Sequence, residues 1–193
     1  MFTDKLTRKQ EIHQTAARLF NEMGFNAVSM RDLAAELDIK ASSLYNHIAS
    51  KDEILTDIIL NIGNQFTAGM EAIVDKEKDI ILQLEELISL HVHIVVGNPN
   101  AIGCLNNDWK HLNPESKEVL MKMRKDYEEQ FRQIIHRGIA ESKIANLNPE
   151  VILFSLLSTL RTMNIWYSKK GSDNVEELTK QVIIILLGGI KTK

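Results

Sequence analysis

SMRDLAAELDIKASSLYNHI, residues 29–48, holds two short apolar-periodic segments separated by a three-residue break. Ser29 is a good N-cap, and Asp32 falls in the first turn, near the positive end of a helix. Met30, Leu33, Ala34 and Leu37 then recur at helical spacing and define a face to be buried. Asp38-Ile39-Lys40 leaves room only for a tight turn, and aspartate enters the positive-φ region more easily than most residues. A second short helix follows at about 41–48, with Leu44 and Ile48 facing inward. Spacing by itself is equally compatible with two helices of an ordinary bundle. The residue types favour a helix-turn-helix, which needs small residues where its helices cross; Ala34 and Ala35 supply them. Ala41, Ser42, Ser43, Asn46 and His47 are short and mostly polar, so the start of the second helix can sink into a major groove and touch base edges.

Upstream, Thr7 opens a supporting helix with Gln10 as its capping-box partner. Ile12, Ala16, Leu19, Phe20 and Met23 form its stripe, and Gly24-Phe25 reads as a Schellman ending. Downstream, Ser50-Lys51-Asp52-Glu53 is a capping box for a long fourth helix that buries Ile54, Ile58, Ile62 and Phe66. Further helices are predicted at about 78–96, 101–111, 114–141, 149–168 and 174–190. Gly97-Asn98-Pro99, Asn113-Pro114, Asn148-Pro149 and Gly171-Ser172-Asp173 separate them. The expectation is an all-α chain of about nine helices with no strand and no internal repeat. A helix-turn-helix DNA-binding domain of three helices occupies 1–50, and a larger helical domain occupies 51–193.

Composition narrows the function. Of 193 residues, 44% are hydrophobic and 25% charged, enough apolar material for a packed core. The net charge of −3 is uneven: residues 1–51 hold seven Lys/Arg against six Asp/Glu, and the acidic excess lies in the remainder. Cys104 is the single cysteine, so no intrachain disulfide forms, which fits a reducing cytoplasm. MFTDKLTRKQ at the N-terminus has no apolar signal core, and the longest apolar run, VIIILL at 182–187, is too short to span a bilayer. The expected chain is cytoplasmic, with no membrane partner. There is no Gly-rich phosphate loop, nucleophile elbow or CxxC pair, so an enzyme is not expected. His91 and His93 point in nearly opposite directions on a helix and are not read as a metal pair. Cys104, near Asp108 and His111, reads as a buried structural cysteine, not a nucleophile. No metal and no cofactor is predicted.

Residues 12–55 resemble the DNA-binding domain of the TetR family. The resemblance rests on Ala16, Leu19 and Phe20 of the first helix, Gly24-Phe25, Leu33-Ala34, Leu44-Tyr45, His47 and Lys51. Asp38 stands where the family usually has glycine. The resemblance implies a repressor that binds palindromic double-stranded operator DNA as a homodimer and is released by a small-molecule inducer. It implies phosphate contacts for Ser29 and Lys51. Tyr45 is implied to pack partly and to reach the DNA backbone with its hydroxyl. Arg31, Ala41, Ser42, Ser43, Asn46 and His47 stand where the family reads bases, and Lys40 joins the DNA-facing set. Arg31 suits a guanine, Asn46 an adenine and His47 a phosphate.

The last two helices are the expected dimer faces. Ile152, Leu156, Leu160 and Met163 share one stripe; Val175, Leu178, Val182, Ile185 and Gly189 share another. The run 183–187 is apolar all round, more than a monomer of this size readily covers. The resemblance places a ligand chamber among the middle helices, with Phe66, Met70, Cys104, Trp109, Phe131, Phe154, Arg161 and Trp166 as candidates. Arg161 follows Leu156, Leu157 and Leu160, and a buried arginine there would need an anionic partner from the protein or a ligand. The C-terminal part is similar to members that sense acyl-CoA thioesters, through Leu105-Asn106, Leu112, Tyr127, Phe131, Gly138, Pro149, Trp166-Tyr167 and Gly171. Those relatives usually carry a small or amide residue near Arg161 and a further glycine near Ser142. The implied inducer is acidic and partly apolar, such as an acyl-CoA or a fatty acid.

Overall fold

A computed structural model describes residues 6–170 and 174–192. The expected break at Gly171-Ser172-Asp173 lies outside the described residues. Among the described residues there are nine α-helices and no strand. They are α1 (Arg8–Met23), α2 (Met30–Glu36), α3 (Ala41–Leu44), α4 (Lys51–Lys76), α5 (Ile80–Gly97), α6 (Pro99–Asn107), α7 (Pro114–Ala140), α8 (Pro149–Lys170) and α9 (Val175–Gly188). The chain forms two compact units. One takes the residues up to Ile62 together with Asn100–Leu120; the other takes Gly63–Pro99 and the residues from Met121 onward. The unit holding the helix-turn-helix therefore extends beyond the expected 1–50 stretch and draws in a segment distant in sequence.

In the first unit, the Thr7–Gln10 capping box opens α1: the Thr7 amide donates to Gln10 Oε1 at 2.8 Å, and the Gln10 amide to Thr7 Oγ1 at 3.3 Å. Gly24 ends the helix with φ 85° and ψ 145°, so the Schellman turn expected there is absent. The chain leaves extended, and Phe25–Ala27 make a 3₁₀ turn that buries Phe25 edge-on against Phe20, with ring centroids 5.2 Å apart. A Schellman pair of hydrogen bonds appears instead at Asp38, φ 51°. The Ile39 amide donates to the Ala34 carbonyl at 3.0 Å and the Asp38 amide to Ala35 at 3.1 Å. Helix α3 is α-helical only to Leu44 and then tightens into i→i+3 turns, unlike the expected helix over 41–48. Ile48 is still buried, and Ser50 Oγ accepts from the Glu53 amide at 3.1 Å to start α4.

In the second unit, Asp79 Oδ1 caps α5 through the amides of Ile81 and Leu82. Among the described residues α5 alone is long and apolar enough to cross a membrane, with a mean hydropathy of 1.5 over 18 residues. It is the core helix of this unit: Ile80, Leu84, Leu87, Ile88 and Val92 are buried, and it packs against α8 and α9. Gly138 on α7 is held close, since a Cβ there would lie 2.4 Å from Ile144 Cδ1.

Helix α8 overturns one expectation. Ile152, Leu156, Leu160 and Met163 lie in the core of their own chain, as does Leu178 on α9. The outward side of α8 carries Val151, Phe154, Ile165 and Trp166, and that of α9 carries Ile184 and Ile185. Both sides of α8 are apolar, so periodicity finds the stripes without telling which one the chain uses itself. Of the remaining α9 positions, Val175 and Val182 are half-buried, and Ile185 and Gly189 are exposed.

Candidate nucleic-acid interface and effector cluster

The helix-turn-helix has a clear inner and outer side. Leu33, Ala34, Leu44 and Ile48 are buried. Ser29, Arg31, Lys40, Ser42, Tyr45, Asn46 and His47 are exposed, and Ala41 and Ser43 are half-buried. Tyr45 is 55% exposed, so its ring contributes little to the core. Ser29 forms a capping box with Asp32: its Oγ donates to Asp32 Oδ2 at 2.6 Å and accepts from the Asp32 amide at 3.2 Å. Donation from the Ser29 hydroxyl first, and then from the Ser29 amide at 2.8 Å, holds the Asp32 carboxyl below the usual carboxylate range. Arg18 on α1 pairs with Glu22 and with Glu36, tying the supporting helix to the end of α2.

Lys51 does not project towards this outer side as a phosphate contact should. Its Nζ donates to the carbonyls of Phe25 at 2.7 Å and Val28 at 2.8 Å, and lies 4.2 Å from the centre of the Phe25 ring. A place at the head of a helix does not fix the direction of the side chain, because carbonyl oxygens of the preceding turn compete for the same ammonium.

The expected ligand residues divide. Cys104 and Trp109 belong to the first unit. Cys104 is buried and donates to the Ala17 carbonyl at 3.6 Å; burial, then Asp108, pushes its thiol up to about 12, which leaves no thiolate for nucleophilic work. Trp109 is half-buried, with Lys117 Nζ 5.7 Å from its ring centre. Phe154 and Trp166 face outward, Phe154 with 72% of its surface exposed, so neither lines an interior. Arg161 is exposed and pairs with Glu128 at 2.5 Å, so the buried arginine the sequence suggested is absent.

Phe66 and Phe131 do come together in the second unit, around His91 and Tyr127, two residues the sequence reading left out of its site, while Met70 is buried in the same unit. His91 lies against Phe66 with ring centroids 4.5 Å apart, and its Nδ1 pairs with the Tyr127 hydroxyl at 3.1 Å. Tyr127 meets Phe131 edge-on at 5.3 Å. Burial, reinforced by the Arg161 guanidinium, pushes His91 down to about 3, so the imidazole is neutral. Burial also raises the Tyr127 hydroxyl. Spacing alone held a clue: His91 shares a helical face with Leu84, Leu87, Ile88 and Val95, whereas His93 is exposed beside Glu176.

Residues 12–58 match the model of the bacterial regulatory proteins of the tetR family. Residues 77–190 match the tetracyclin repressor-like C-terminal domain. The chain belongs to the TetR family. A TetR relative, the transcriptional repressor KstR2 of Rhodococcus jostii, is 25% identical over 188 residues, 96% of this chain and 92% of its own. The structure of the ketosteroid regulator KstR2 of Mycobacterium tuberculosis superposes with a TM-score of 0.91 at 22% identity, covering 98% of each chain. That of AibR, in complex with isovaleryl coenzyme A and operator DNA, gives a TM-score of 0.79 at 20% identity over 93% of this chain and 97% of AibR. The protein is thus a TetR-family transcriptional regulator, related to the KstR2 repressors. The TetR N-terminal match ends within α4, and the C-terminal match begins just before α5.

Proposed function

We propose that this protein represses transcription by binding a palindromic operator as a homodimer, and that an acidic, partly apolar small molecule releases it. The carrying observation is the outer side of α2 and α3, where short polar and cationic side chains stand over a buried Leu33, Ala34, Leu44 and Ile48. Arg31 and Asn46 are assigned to base edges, with Arg31 suited to guanine and Asn46 to adenine. Ser29, Lys40, Tyr45 and His47 are assigned to phosphates. Ala41, Ser42 and Ser43 allow close approach. Lys51 keeps α2 in place from behind.

One such motif touches too little DNA for a specific site, so a second copy is needed. The outward faces of α8 and α9 supply the contact: Phe154, Ile184 and Ile185 are each 70% or more exposed, an apolar surface that a second copy would cover. The inducer is assigned to the cluster of Phe66, His91, Tyr127 and Phe131, with Arg161 as the anion partner in exchange for Glu128. The acyl-CoA seen with AibR supports that ligand class. Release follows if the inducer prefers a conformation in which the two recognition helices no longer fit successive grooves. The site of action is the cytoplasm.

The test is fluorescence anisotropy with a duplex covering the DNA upstream of the protein's own coding sequence. Saturable binding at physiological salt, reversed by an acyl-CoA or a long-chain fatty acid, is the expected result. No preference for that duplex or for genome-selected fragments over random DNA refutes the operator reading. A thermal-shift panel in which only cations stabilise the protein refutes the inducer class.

A further inference from the structure

The first unit contains residues 100–120, which no local motif links to the helix-turn-helix. Their attachment is specific. Asn21 Nδ2 donates to Asn100 Oδ1 at 3.1 Å, and Asn21 lies so close over Gly103 that a Cβ there would meet its Oδ1 at 1.9 Å. Cys104 reaches the Ala17 carbonyl. In the 3₁₀ turn Trp109–His111, the His111 ring stacks on Phe25, with centroids 5.2 Å apart and planes at 28°.

Phe25 is the ring that Lys51 covers, and the Lys51 ammonium holds the carbonyls of Phe25 and Val28. Val28 immediately precedes Ser29, the cap of α2, and α2 packs against α3. A continuous line of contacts therefore runs from His111 through Phe25, Lys51 and Val28 to the start of α2. Segment 100–113 is also the covalent link between the helix that carries His91 and the helix that carries Tyr127.

We propose that segment 100–113 is a working part of the DNA-reading head, with His111 as a positioning residue that fixes where α2 begins. This rests on the reading that α2 and α3 bind DNA. His111 touches no DNA in this scheme; it holds Phe25, and Phe25 with Lys51 holds the turn that launches α2. Loss of the stacked ring loosens residues 24–37 and spreads the recognition surface over several arrangements, of which only a fraction binds.

Two measurements on the full-length chain test it, with His111→Ala, His111→Leu and His111→Phe. In hydrogen exchange without DNA, amides of residues 24–37 should exchange faster in His111→Ala and His111→Leu, and return to the wild-type rate in His111→Phe, which keeps the aromatic face. On the upstream duplex, the first two variants should bind roughly tenfold more weakly and His111→Phe within about twofold of wild type. The dependence of affinity on salt should be unchanged, because no phosphate contact is lost. If the wild-type chain ignores every duplex, the DNA reading fails, and the exchange experiment alone judges the contact line. Unchanged exchange in His111→Ala and His111→Leu, or failure of His111→Phe to restore it, overturns the proposal. So does a shallower salt dependence, which marks His111 as a direct phosphate contact.

Discussion

Replacing Lys51 by methionine separates two roles for this residue. The substitution keeps the apolar stem of the lysine at nearly its full length and removes only the ammonium. The structure loses two charge-assisted hydrogen bonds, to the Phe25 and Val28 carbonyls, and a cation over the Phe25 ring. Hydrogen bonds to a charged group contribute about 1.5–3 kcal/mol each. The site is only part-buried, so water reaches the freed carbonyls and recovers much of that. The cation–π contact adds about 0.5–1 kcal/mol. A net loss of about 2–3 kcal/mol follows, which for a chain of this size lowers the melting temperature by about 5–10 °C. Thermal circular dichroism of the intact chain, following the first transition, measures it. A phosphate contact predicts the opposite pattern: an unchanged melting temperature, and a log–log salt dependence of DNA binding shallower by about 0.9. That second pattern would refute the inward role of Lys51.

Three further outcomes are expected. Phe154→Glu and Ile185→Glu should each weaken self-association by on the order of a hundredfold, seen as monomer in sedimentation velocity, while the fold survives; Leu160→Glu, at a fully buried position, should instead fail to fold. Asp38→Gly should raise stability by about 0.5 kcal/mol in urea unfolding, because φ 51° is unstrained for glycine and its greater unfolded-state freedom offsets only part of the gain. His91 stays neutral in the folded chain down to about pH 3, whereas the unfolded chain takes up that proton near 6.5. Its burial therefore costs no stability above pH 6.5, and a penalty grows as pH falls towards 3, reaching about 2 kcal/mol at pH 5. His91→Gln, which keeps a partner for Tyr127 and cannot titrate, should lose that share of the difference between unfolding midpoints at pH 8 and pH 5. An identical difference in both proteins counts against the burial of a neutral imidazole.

The proposed dimer face, the proposed effector cluster and the role of Lys51 all turn on orientation, and orientation is where the sequence is least informative. On α8, Leu156 and Leu160 make the more aliphatic stripe, the one expected at a subunit contact, yet they fill the chain's own core, while Phe154 and Trp166 stand outside. Arg161 follows a run of leucines, but one helical step carries it to the surface and to Glu128. Spacing puts His91 on the buried aliphatic face of α5, but only the packing of Phe66 and Tyr127 around it reveals the cluster.

What the chain's residues determined by themselves was the list of helices, their order and the helix-turn-helix. Those depend on caps, breaks and periodicity within a few residues: Thr7–Gln10, Ser29–Asp32, Asn113-Pro114 and the turn at Asp38 all act locally. Tertiary structure alone decided which apolar stripe of α8 is interior, where the Lys51 ammonium goes, and that residues 100–113 dock on α1 and Phe25. Each of these choices is made by partners tens of residues away, such as Phe25 for Lys51 and Asn21 for Gly103, and local spacing carries no record of which distant surface arrives.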